Sequence, residues 1–124
     1  MNDRFMFRAK RIDNNRFVYG YLCFIYIDNK EHCRIYCPED TTSYDCYTKT
    51  LGQCTGLKDK NGRLIYEGDI VRAFGFTESY ILVCRFRKSS FCLDYVDGRP
   101  HNFVHSVAPV EVIGNIHENG ELLK

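Results

Sequence analysis

A mainly β fold is what this 124-residue chain predicts, and three observations carry the prediction. Apolar and polar residues alternate at period two in several stretches, and turn-forming Gly, Asn and Asp punctuate them at short intervals. No stretch of a dozen residues shows helical spacing of apolar positions without Gly or Pro intruding. Nine Tyr and nine Phe, with no Trp, weigh the same way, because these rings suit a pleated, half-buried surface. Short strands with frequent turns fit a barrel or packed meander better than an open parallel sheet.

The first strand spans residues 5–12, with Phe5, Phe7 and Ala9 on one face and Met6, Arg8 and Lys10 on the other. Asp13-Asn14-Asn15 supplies turn chemistry. Residues 16–27 form a longer strand, in which Gly20 marks a bulge or a close backbone approach. Asp28-Asn29 makes the next turn, and His32 to Cys37 reads as a shorter strand. Pro38 to Lys49 has few aliphatic residues and reads as a loop, with room for one helical turn started by Pro38. The chain therefore divides into an N-terminal β meander over 1–50 and a second β subdomain over 51–124, packed as one compact unit.

The most specific stretch is Thr55 to Val71. Asn61-Gly62 predicts a two-residue type I′ hairpin turn, which places both residues at positive φ. Gly68-Asp69 marks a second turn, after which Ile70-Val71 open a new apolar run. Asn61, Gly62, Gly68 and Asp69 are thus structural turn residues. Tyr80 to Arg87 alternates, with Tyr80, Leu82, Cys84 and Phe86 on one face, and Phe91 to Val96 pairs with it across Lys88-Ser89-Ser90. Val110 to Ile116 is the last strand.

A net charge of +1 gives no bulk attraction to nucleic acid or to an anionic membrane. No apolar run approaches a membrane span, and the N-terminus lacks a continuous apolar region for secretion. The seven cysteines are odd in number and include no C-x-x-C pair, which points to reduced thiols in a cytoplasm.

Groups that could carry chemistry are few. Glu67 and Asp69 flank Gly68, but carboxylates around a turn diverge, and Asp beside Gly serves to bond turn amides. Cys33 and Cys37, with His32, have metal-ligand types, yet on a strand they stand about 13 Å apart, and Cys46 and Cys54 complete no knuckle. His101 and His105 with Cys84 or Cys92 lack the helix N-terminus or nucleophile elbow that activates a thiolate. No catalytic residue, metal or cofactor is therefore expected. Arg4, Arg8, Lys10 and Arg11, and farther on Arg85 and Arg87, are candidate nucleic-acid contacts, because phosphate pairing with interleaved aromatic stacking is how single strands are held.

The block Gly52 to Gly62, followed by Ile65-Tyr66-Glu67-Gly68-Asp69-Ile70-Val71, resembles the YopX family of phage and prophage proteins. So do Phe7-Arg8-Ala9, Phe17 to Leu22, and Val112 to Asn119, in the family's order. The segment between Cys37 and Leu51 is longer than the family's usual link. The resemblance implies an SH3-like barrel in the C-terminal half beside the N-terminal β subdomain, and the cytoplasm of a bacterial host. It carries no transferable activity. The expected function is a non-enzymatic accessory protein that acts by protein contact and self-associates, a host or phage protein being a further partner. Tyr19, Tyr21, Tyr66 and Phe76 are its candidate contacts; nucleic-acid binding is the alternative.

Overall fold

Alternation becomes two antiparallel sheets, and the computed structural model describes them over residues 5–74, 79–87, 90–96, 100–103 and 109–123. The chain divides into two units, Met1–Cys54 and Thr55–Lys124.

The first unit holds β1 (Phe7–Lys10), β2 (Phe17–Ile27), β3 (Lys30–Cys37), β4 (Thr42–Cys46) and the start of β5 (Gly52–Lys58). Their order is β4-β3-β2-β1-β5. β2 bends between two partners: Phe17 to Gly20 pair with β1, and Tyr21 to Ile27 pair with β3. Gly20 is required at the bend, since a Cβ there would lie 1.9 Å from the Tyr36 carbonyl oxygen. Asp28 and Asn29, at φ 52° and 64°, make the tight β2–β3 hairpin with the double positive φ of a type I′ turn. A small core forms from Ala9, Cys33, Ile35 and Cys46, with Phe7, Val18, Leu22, Tyr44 and Leu51 packed around it.

Residues 38–49 are not one loop. Pro38 to Thr41 turn, with Thr41 at φ 54°, and Thr42–Cys46 then pairs with β3 as β4. Asp40 supports the turn, its carboxylate accepting from the Thr42 amide at 3.1 Å and from the Tyr44 hydroxyl. Cross-strand pairing, not composition, makes this segment a strand.

The second unit continues β5 beside β6 (Leu64–Tyr66) and then builds a five-stranded sheet. That sheet comprises β7 (Asp69–Phe74), β8 (Ser79–Arg87), β9 (Ser90–Tyr95), β10 (Pro100–Phe103) and β11 (Val110–Asn115), ordered β10-β9-β8-β7-β11. Where a barrel is expected, the described strands form an open sheet with β10 and β11 at its edges. Its core gathers Ile65, Val71, Ala73, Leu82, Cys84, Phe91, Leu93, Val110 and Val112. The simple alternation of β8 does not extend to exposure: Val83, on the opposite face from Leu82 and Cys84, is also fully buried, as are its cross-strand neighbours Ile70 and Asp94.

Candidate interaction surface

The turn residues come first because they set strand register. Gly62 sits at φ 84°, whereas Asn61 is not at positive φ, so the connection is not the type I′ turn expected there. The connection is wider: the Asp59 amide donates to the Arg63 carbonyl at 2.7 Å, and the Gly62 amide donates to the Asp59 carbonyl at 3.0 Å. The reason is the Asp59 side chain. One carboxylate oxygen accepts from the Asn61 amide at 2.9 Å and the Arg63 amide at 2.8 Å, while the other accepts from the Val112 amide of β11 at 3.0 Å. Burial raises the pKa of this carboxyl, but the Val112, Arg63 and Asn61 amides outweigh burial and hold it below the usual carboxylate value. Sequence reasoning passed over Asp59. Its signal was an Asp two positions before Asn-Gly, the spacing of an Asx turn.

Gly68 lies at φ 92°; its amide donates to the Cys84 carbonyl and its carbonyl accepts from the Ile116 amide. Asp69 is buried and accepts from the Tyr66 amide at 2.7 Å, closing the corner that carries the chain from β6 into β7. Asp69 thereby serves the backbone, and Glu67, two residues before it, is half-buried.

Three of the described basic residues in the first unit lie against aromatic rings. Arg8 is 2% exposed, with its guanidinium 4.8 Å from the centre of the Phe17 ring. Lys10 lies 5.6 Å from the same ring. Arg11 binds the Asp13 carboxylate through two nitrogens at 2.9 and 2.6 Å and stacks over Tyr44 at 4.0 Å. Its pKa is raised, first by the Asp13 hydrogen bond. Arg85 is half-buried on β8. Arg4 and the side chain of Arg87 lie outside the described residues.

The thiols are similarly sheltered. Cys33 and Cys46 face each other across β3 and β4 and are both buried. Burial, and next the neighbouring Cys33, push the Cys46 thiol up to about 11; burial, and next Glu31, raise that of Cys33. Thiols so placed stay protonated and inert at neutral pH. Among the described residues, no three His, Cys, Asp or Glu side chains converge as metal ligands would. Cys84 and Cys92 are buried, while His105 and the side chain of His101 lie outside the described residues.

What the structure does bring to the surface is apolar. β2 carries Leu22, Phe24 and Tyr26 on the face of the first unit's core, but β1 reaches only to Gly20 and β4 only to Cys33. Leu22 packs on the core, whereas Phe24 is 43% and Tyr26 72% exposed. The row has run past its cover. On the other face Cys23 is exposed and Ile27 is 45% exposed. Beyond Phe24 the β2–β3 hairpin is a bare two-stranded arm, Ile25 to His32. Of the expected contact residues, Tyr19 is exposed, Tyr21 half-buried and Tyr66 buried, while Phe76 lies outside the described residues. Alternation alone makes Leu22 to Ile27 look like an ordinary core strand; how far its neighbours reach is not a local property.

Comparison with known proteins places this geometry. The family model described as YopX protein matches residues 6–124. Among solved structures, the YopX protein from Bacillus subtilis is 22% identical over 100% of both chains, with a TM-score of 0.60. Protein EF1440 from Enterococcus faecalis is 23% identical, covering 95% of this chain and 96% of that one, with a TM-score of 0.57. At these identities the structural likeness speaks for the fold. No protein with a curated description matches the chain. Among the described residues no helix is long and apolar enough to cross a membrane.

Proposed function

The chain belongs to the YopX family, and we propose that it is a non-enzymatic phage or prophage accessory protein that self-associates through the β2–β3 arm. One observation carries this reading: Phe24 and Tyr26 on one face, and Ile27 on the other, stand exposed where the β2–β3 hairpin outruns the described strands beside it. A lone two-stranded ribbon is marginal in water, and burying its rings against protein removes both that weakness and the aggregation hazard of a bare apolar edge. Protein contact in the cytoplasm of a bacterial host is the setting this reading takes. Support for an SH3-like second unit comes from its strand order, in which a meander of β7 to β10 has β11 return beside β7. The nucleic-acid alternative has less behind it, because Arg8 is buried and Arg11 is neutralised by Asp13.

Sedimentation velocity over a wide concentration range tests the proposal. The wild-type protein sediments as more than one copy, and Tyr26→Lys shifts it toward the single chain with unchanged circular dichroism. A wild-type chain that stays monomeric throughout, or a Tyr26→Lys variant that associates as wild type does, would overturn the proposal.

A further inference from the structure

Resting on that reading, we infer that the partner seated on the arm is a second copy of this chain, its β2 paired antiparallel with β2 across a two-fold axis at Phe24. Tyr21 to Ile27 are bonded to β3 on one side, and among the described residues no strand pairs with the other side, where a row of alternate N–H and C=O groups points. A strand is what satisfies such a row.

Charge decides which strand. The hairpin has two long edges, and they differ. β3 begins Lys30-Glu31-His32-Cys33-Arg34, with three charged residues in five, the means by which natural sheets discourage edge pairing. β2 reads Phe-Val-Tyr-Gly-Tyr-Leu-Cys-Phe-Ile-Tyr-Ile, eleven residues without one charge. An uncharged strand meets its own copy with no like-charge repulsion, and it offers an acidic or basic partner nothing to pair with.

The seven-residue edge has Phe24 at its centre. Antiparallel pairing about that point sets Tyr21 opposite Ile27, Leu22 opposite Tyr26 and Cys23 opposite Ile25. The first two set an aromatic ring against a branched aliphatic side chain, a kind of pair that stabilises cross-strand contacts, and the third sets Cys against Ile. The same patch serves both copies, so the contact closes as a dimer instead of growing into a fibre.

A charge swap on the axis tests this geometry apart from the broader reading. Phe24→Lys and Phe24→Glu each bring like charges face to face and weaken self-association by roughly tenfold or more. Mixed in equal amounts, the two variants regain a dimer containing one of each. Melting curves verify that each variant is folded, and a second pair, Cys23→Lys/Ile25→Lys with Cys23→Glu/Ile25→Glu, repeats the swap at neighbouring positions should Phe24 prove needed for folding. If the wild type associates and Tyr26→Lys weakens it, yet neither mixture recovers a mixed dimer, the arm is the interface but the edge pairing is wrong. A monomeric wild type removes both.

Discussion

Asp59→Ala should unfold this protein more readily than any other single change in the central hairpin. Three backbone amides lose their acceptor: Asn61, Arg63 and Val112. The Val112 amide is buried, and an orphaned buried donor costs about 1–3 kcal/mol. The other two amides lie in an exposed turn where water replaces most of the bond, leaving about 0.5 kcal/mol each. The sum is about 3 kcal/mol. Asp59→Asn retains one carbonyl acceptor and loses the other, since its NH2 group only donates, so it should cost roughly half as much. Urea unfolding reads both as a lower midpoint at unchanged slope. The pH dependence gives a further check. Because the folded Asp59 carboxyl titrates below its unfolded value of about 3.9, its contribution is fully present above that pH and is lost as pH falls through the lowered folded value. The gap between wild type and Asp59→Asn should therefore be constant near neutrality and shrink below about pH 4. An Asp59→Ala variant within about 0.5 kcal/mol of wild type would refute the role assigned to this carboxylate.

Three further outcomes are expected. Gly20→Ala drives a methyl group into the Tyr36 carbonyl, 1.9 Å from the new atom, and should cost about 3 kcal/mol or more or prevent folding; a folded variant with an unchanged melting curve would contradict the bend in β2. A Cβ at Gly62 meets nothing within 4 Å, but Gly62→Val must hold a β-branched residue at φ 84°, so about 1–3 kcal/mol should be lost in urea titration. With a thiol reagent at neutral pH, exposed Cys23 should react first, whereas buried Cys46, its thiol raised to about 11, should react only on unfolding; equal rates for the two would show that Cys46 is not shielded.

Much of the β character was legible because β2, β3, β8, β9 and β11 alternate strongly or run apolar between turn residues. β4 escaped notice because Thr-Ser-Tyr-Asp-Cys has little apolar signal, and its strand geometry comes from pairing with β3. Both Asn-Gly and Asp-Asn signalled turns, yet the tight type I′ geometry went to Asp28-Asn29. Asp59 captures two amides around Asn61 and widens that loop. Arg8 reads as an outward-facing residue on an alternating strand, but it is buried with its guanidinium near Phe17. In β4 a neighbouring strand and at Arg8 the Phe17 ring override the local preference, whereas at Asn61 the side chain of Asp59, two residues away, does so. The arm was illegible for the same reason as β4: an apolar run looks like core until the ends of β1 and β4 are known.

Amide hydrogen exchange at residues 21–27, followed as a function of protein concentration, bears most directly on the claim that this protein works by joining copies at β2. Protection of alternate amides in that run should rise with concentration while the β8 and β9 amides stay constant. Fast exchange in residues 21–27 at every concentration would contradict it.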